Sequence, residues 1–198
     1  MEARDFISVN RATVSRCRAH KNYRGDTSEL KRLFHEITGD HMLSSSDLEV
    51  NAASLLIPGY KYEKTLGKIA IEGRTSYCPC LQTLYRLKLF WLSGNHFYTL
   101  SYHEVQEAIY KSGYLPEGSV GYCVPAYKDC GATIPLHRFF NPILPDHIYT
   151  TDPVEYEKLL KGGYRYEGIT CYLWNKEAVV DFEDFLARET EDRRFIDY

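Results

Sequence analysis

Three stretches of this chain carry the same residue types at the same spacing, and that register limits the folds open to it. Aligned on one histidine, GDHMLSSSDLEV (39–50), GNHFYTLSYHEV (94–105) and PDHIYTTDPVEY (145–156) place His41, His96 and His147 at intervals of 55 and 51 residues. Each histidine follows Asp40, Asn95 or Asp146. Five residues on comes Ser46, Ser101 or Asp152, and eight on comes Glu49, Glu104 or Glu155. A register kept at several positions is the mark of an internal repeat. A unit of roughly forty residues cannot bury an apolar face alone, so such units must pack on one another.

The register extends both ways. Arg32 and Arg138 lie nine residues before their histidines, and Arg86 lies ten before His96. Downstream stand GYKYE (59–63), GYLPEG (113–118) and GYRYEG (163–168), followed by EGRTSY (72–77), EGSVGY (117–122) and EGITCY (167–172), with an insertion in the first copy. Within each copy, a short apolar run around Arg32, Leu87 or Arg138 reads as a strand, and Gly39-Asp40, Gly94-Asn95 or Pro145-Asp146 as a turn. HMLS, HFYTL and HIYTT read as a second strand. Ser46, Ser101 and Asp152 then stand as helix N-caps, with a glutamate three residues on to complete a capping box and Pro153 at a first helical position. The Gly-Tyr pairs close the helices, and final strands end at Tyr77, Tyr122 and Tyr172.

The expected fold is therefore α+β and mainly β: three pseudo-symmetric strand-turn-strand-helix-strand repeats, 29–80, 83–125 and 135–175, closed around a three-fold axis as a trefoil-like or small propeller-like body. Residues 29–175 form the domain. Residues 1–28 form a basic N-terminal segment, and 176–198 an acidic tail whose Phe182, Phe185 and Leu186 suggest a helix for packing or homo-oligomer formation.

At 198 residues, with 44% apolar and 26% charged side chains, the composition is that of an ordinary globular domain. A net charge of −3 leaves no basic footprint for nucleic acid, and no apolar run reaches the length of a membrane span. The opening residues lack the apolar core of a secretion signal, so the expectation is a cytoplasmic protein, or one released without a signal peptide, with extracellular action left open. For the six cysteines, Cys17, Cys78, Cys80, Cys123, Cys130 and Cys171, the expectation is reduced thiols, because Cys78-Pro-Cys80 has no second pair at zinc-finger spacing.

Arginine, a short apolar strand, Gly/Pro-Asp-His-aromatic-Tyr-Thr, a helix and Gly-Tyr-x-Tyr-Glu-Gly together resemble a tyrosine-rich "Asp-His-Phe-Tyr-Thr" repeat family of unknown function, found in many bacterial and fungal proteins. Residues 135–175 match best, and HMLSS departs from the pattern. The resemblance implies an accessory module without enzyme activity, directed to carbohydrate.

A sugar site needs hydrogen-bonding groups for vicinal hydroxyls and a flat apolar ring for the C–H face. The candidates are Asp40, Asn95 and Asp146; His41, His96 and His147; Arg32, Arg86 and Arg138; and the rings Tyr98, Tyr149, Trp91 and Trp174. Leu43 stands where the other copies have Tyr98 and Tyr149, so copies two and three are expected to bind. A glycan or glycoprotein is the expected partner, with no cofactor, catalytic residue or resident metal. The same Asp-His pairs also suit a structural role, with each aspartate capping its own turn. A protein-interaction module is the other main reading, since tyrosine, tryptophan and arginine dominate interaction hot spots. A zinc site where the three imidazoles meet, and catalysis without a recognisable motif, are further alternatives.

Overall fold

The computed structural model describes residues 17, 23, 25–56, 59–73, 76, 78–89 and 94–175. Most of the basic segment 1–28, the tail 176–198 with its expected helix, and Trp91 lie outside the described residues.

Among the described residues, nine strands and three α-helices follow in the order β1 (Thr27–His35), β2 (Asp40–Ser44), α1 (Asp47–Leu55), β3 (Lys61–Ala70), β4 (Gln82–Leu89), β5 (His96–Thr99), α2 (Tyr102–Ser112), β6 (Tyr114–Cys123), β7 (Ile134–Asn141), β8 (Asp146–Thr150), α3 (Pro153–Lys161) and β9 (Arg165–Leu173). Tight turns set the local pairing. Gly39 and Gly94 adopt positive φ just before Asp40 and Asn95, which returns β2 onto β1 and β5 onto β4. All the pairing within the sheets is antiparallel.

The expected α+β body of three pseudo-symmetric repeats closed about a three-fold axis, trefoil-like or propeller-like, is overturned. The chain is mostly β, with two antiparallel sheets: six strands in the order β2-β1-β3-β6-β4-β5, and three in the order β8-β7-β9. The reason is a single edge. Ala70 of β3 pairs with Tyr122 of β6 and joins the first two strand groups, whereas β9 and its flank touch them only through the isolated bridges Lys68–Trp174 and Val124–Tyr172. The sheets enclose one core of Leu30, Leu43, Ile69, Leu84, Tyr98, Leu136, Tyr149 and Leu173, among others.

The helix starts follow from local chemistry. Ser46 and Ser101 accept from the N–H of Glu49 and Glu104, and Asp152 accepts from Val154 and Glu155. The reciprocal half of a capping box is replaced by a relay. The Ser44, Thr99 and Thr150 hydroxyls donate to Glu49, Glu104 and Glu155, and accept from the N–H of the cap residue. The glutamates are thereby turned away from their own backbone, toward arginines.

Two further expectations are corrected. The first copy holds no insertion after its helix: β3 begins at Lys61 and pairs Arg32 with Lys64, as Arg86 pairs with Gly118 and Arg138 with Gly168. Glu63, not Glu72, therefore stands beside Arg32. The cysteines are not free thiols but disulfides, Cys17–Cys80, Cys78–Cys130 and Cys123–Cys171, at Cα separations of 5.8, 5.8 and 6.1 Å. These separations lie within the range a disulfide spans without backbone movement. The folding of distant strands brings the pairs together, which spacing along the chain cannot show.

Candidate functional site

The Asp/Asn-His pairs are buried, and each histidine bonds to the acid or amide of a different segment. His41 Nδ1 lies 2.6 Å from Asp146 Oδ2, His96 Nδ1 lies 2.6 Å from Asp40 Oδ2, and the backbone N–H of His147 donates to Asn95 Oδ1 at 3.0 Å. The bonds run from 146 to 41, from 40 to 96 and from 95 to 147, so they tie β2, β5 and β8 together in a closed ring. Tyr60 donates to Asp40, and Asn95 donates to Tyr114.

Outward from this ring, the second nitrogen of each imidazole faces a glutamate: His41 to Glu63 at 3.8 Å, His96 to Glu117 at 3.2 Å and His147 to Glu167 at 3.5 Å. Among the described residues, His41, His96 and His147 do not form a cluster within metal-ligand reach of one another, because each ring is directed to its own carboxylate or amide partner and glutamate. Among the described residues, Cys17, Cys80 and Asp129 do lie within metal-ligand reach of one another, but the two sulfurs are joined as a disulfide.

Each arginine lies between two of these glutamates. Arg32 pairs with Glu63 at 2.6 Å and Glu155 at 2.7 Å, Arg86 with Glu117 at 3.1 Å and Glu49 at 2.8 Å, and Arg138 with Glu167 at 2.9 Å and Glu104 at 3.0 Å. One glutamate of each pair comes from the same strand group and the other from the helix start of a neighbouring group. Burial disfavours the charged carboxylates, but the arginine bonds outweigh it, holding Glu49 and Glu104 below the usual range and Glu155 at about 2. Arg86 Nε and Arg138 Nε lie within ion-pair distance of Glu117 and Glu167 without an aligned hydrogen bond, so the network holds its elements chiefly through the terminal guanidinium nitrogens and, at Arg32, through Nε as well.

Tyr98 and Tyr149 are 0% exposed, so neither ring has a free face to offer a sugar. Their hydroxyls clasp backbone instead. Tyr149 donates to the carbonyl of residue 98 and accepts from its N–H, both at 2.8 Å; Tyr98 accepts from Leu43 N–H at 2.7 Å and donates to its carbonyl at 3.2 Å. Leu43 has no hydroxyl to hold residue 149, and Arg32 Nη1 supplies the missing donor to the Tyr149 carbonyl at 2.8 Å. Leu43, like Tyr98 and Tyr149, is thus an interior residue. Trp174 is also internal, donating to the Cys130 carbonyl at 2.9 Å and lying against Tyr23. Of the expected ligand residues, Asp40, His41, Asn95, His96, Asp146, His147, Arg32, Tyr98, Tyr149 and Trp174 are buried, while Arg86 and Arg138 line open clefts.

A groove that the repeat pattern conceals lies between α2 and the β4–β6 face. β4 contributes Thr83, Tyr85 and Leu87, α2 contributes Tyr102, Val105 and Ile109, and β6 contributes Pro116, Gly118 and Ser119, around a volume of about 440 Å³. Tyr102 is 62% exposed, and its ring centroid lies 6.2 Å from that of Tyr85.

The groove exists because small residues stand there. Leu87 pairs with Pro116 where, in the other sheet, Phe139 pairs with Tyr166. Val105 follows its cap by four residues, as Tyr156 follows Asp152. In the three-stranded sheet the rings of Phe139, Tyr156 and Tyr166 pack at centroid distances of 5.0 to 5.3 Å and fill the space. The contrast of Val105 and Pro116 with Tyr156 and Tyr166 is the sequence signal for the groove, readable only once the strands are paired.

The architecture defines a mostly β, disulfide-bonded domain, built around a buried Asp/Asn-His-Glu-Arg network and carrying an apolar groove rimmed by tyrosines. The chain belongs to a family described as "Domain of unknown function (DUF5648)", whose model matches residues 17–174. That match replaces the "Asp-His-Phe-Tyr-Thr" repeat family suggested by the sequence. Neither curated proteins nor solved structures give a match. Among the described residues, no helix is long and apolar enough to cross a membrane.

Proposed function

We propose that this is a non-enzymatic, lectin-like carbohydrate-binding module whose ligand lies in the groove between α2 and the β4–β6 face, rather than on the Asp-His pairs. The observation that carries the reading is the tyrosine-rimmed groove. Its volume suits a sugar unit, Tyr102 offers an aromatic face to the C–H side of a ring, and Thr83, Ser119 and Arg86 supply hydrogen-bonding groups beside apolar walls. A non-catalytic role is favoured because the Asp/Asn-His pairs are buried and bonded to one another. Three disulfides favour work in an oxidising, extracellular setting.

A glycan array probed with the intact chain, with and without chelator, tests the reading. The expected result is a signal on a coherent class of sugars that chelator does not remove. A silent array would favour the second reading, a protein partner. One observation supports that reading: α1 buries none of its residues and leaves Leu48 and Leu55 at least 80% exposed.

A further inference from the structure

Arg32 and Arg138 are each held by two glutamates, yet they face different neighbours across the strand pairing. Opposite Arg32 stands Lys64, and opposite Arg138 stands Gly168. Lys64 reaches over the start of α3, where its Nζ lies 3.2 Å from Glu155 Oε2 and 3.4 Å from Asp152 Oδ2. Gly168 has no side chain to do the same over the start of α2. The space there is an open cleft of about 340 Å³, lined by Thr99, Ser101, Glu104, Arg138, Glu167 and Thr170.

Carboxylates outnumber the arginine and lysine cations by one at both places, Ser101 standing at the cleft where Asp152 stands near Lys64. Near Lys64, the carboxylates of Glu63, Asp152 and Glu155 face the cations Arg32 and Lys64. At the cleft, Glu104 and Glu167 face Arg138, with His147 Nε2 3.5 Å from Glu167. Glu104 and Glu167 are both held below the usual carboxylate range, against burial, by their bonds to Arg138 and His147 respectively, so both are ionised near neutral pH. An ammonium ion from outside would find at Glu104 the kind of partner that Lys64 finds at Glu155. The cleft also presents hydroxyls. Ser101 Oγ accepts from Glu104 N–H at 3.2 Å, and the Thr170 hydroxyl is buried without a hydrogen-bond partner among the described residues.

We propose that this cleft is a second binding site, for a hydroxylated primary amine of the kind found in a sugar unit with a free amino group. The ammonium lies against Glu104, at the place taken beside Glu155 by Lys64 Nζ, and ring hydroxyls face Glu167 and Ser101. A primary amine fits because it brings a compact cation with several donors to a site with one carboxylate in excess. An N-acetylated sugar loses that charge. The site is separate from the groove rimmed by Tyr85 and Tyr102, so the two proposals fail separately.

The test is an amide-resolved NMR titration of the intact chain at about pH 6, below the ordinary pKa of an amine. The probes are a glucosamine oligomer, its fully N-acetylated counterpart and lysinamide. The expected result is a saturable shift of the Ser101, Glu104, Gly168 and Thr170 amides with the free-amine oligomer alone. Ile169 also lines the cleft. Ile169→Lys places a tethered ammonium there and should abolish the response, whereas Ile169→Met should keep it. An equal response to the acetylated oligomer or to lysinamide would overturn the proposal. So would a response confined to the Tyr85 and Tyr102 region, or one undiminished in a folded Ile169→Lys variant.

Discussion

Asp40 holds His96 across 56 positions of sequence by two bonds, one to the backbone N–H at 2.8 Å and one to the imidazole Nδ1 at 2.6 Å. The opposite ring nitrogen faces Glu117 at 3.2 Å. The imidazole is thus placed between two carboxylates, an arrangement that a protonated ring satisfies on both sides and a neutral ring on only one.

Stability should therefore peak in mildly acid solution. Burial lowers the His96 pKa, but the bonds to Asp40 and Glu117 outweigh it and raise the value above that of a free histidine. This contribution is full below the unfolded-state pKa of about 6.5 and is lost as pH rises through the folded value. Glu117, lowered chiefly by its bond to His96, and Glu155, lowered to about 2, act in the opposite sense. Their contribution is present above about 4.3 and is lost as pH falls through their folded values. Urea midpoints should decline on both sides of a maximum lying between those unfolded values. His96→Gln should flatten the alkaline decline. A wild-type midpoint that stays level from neutral to alkaline pH would refute the protonated ring.

Tyr98→Phe and Tyr149→Phe should each destabilise the fold by about 1–3 kcal/mol, because each leaves a buried backbone N–H and carbonyl without a hydroxyl partner. Neither change should alter ligand binding. Denaturant unfolding measures the first expectation and calorimetry the second. A loss of affinity in a folded Tyr98→Phe protein would return that ring to the binding site.

Under oxidising conditions no thiol should be accessible to alkylation, even in denaturant. Peptide mapping without reductant should recover the pairs 17–80, 78–130 and 123–171. Breaking Cys123–Cys171 by a double serine substitution should cost about 2–5 kcal/mol. Recovery of free thiols or of other pairings would contradict the described arrangement.

Local chemistry is legible in the sequence, and non-local pairing is not. Ser46, Ser101 and Asp152 mark the helix starts, since a cap depends only on the next few residues. The register also singles out the Asp-His pairs. It cannot show that Asp40 belongs to His96 rather than to its neighbour His41, and this pairing decides that these residues are interior. Glu63 is hidden because it precedes Lys64, whereas Glu72 precedes Gly73 as Glu117 and Glu167 precede Gly118 and Gly168, and only the pairing of β1 with β3 picks out Glu63. The joining of six strands into one sheet rests on a single contact, Ala70 with Tyr122. The groove arises from residues that break the pattern, Val105 and Pro116, while attention to matching positions draws the eye to buried ones.

The most direct test of the carbohydrate reading is isothermal titration calorimetry with the strongest glycan from the array, on wild type, Tyr102→Ala and Val105→Tyr. Tyr102→Ala removes the exposed ring at the rim, and Val105→Tyr fills the groove as Tyr156 fills the corresponding space beside β7 and β9. At least about a tenfold loss of affinity is expected in each variant, which is about 1.4 kcal/mol, with folded circular dichroism spectra retained. Undiminished binding in both folded variants would contradict it and place the ligand elsewhere on the domain.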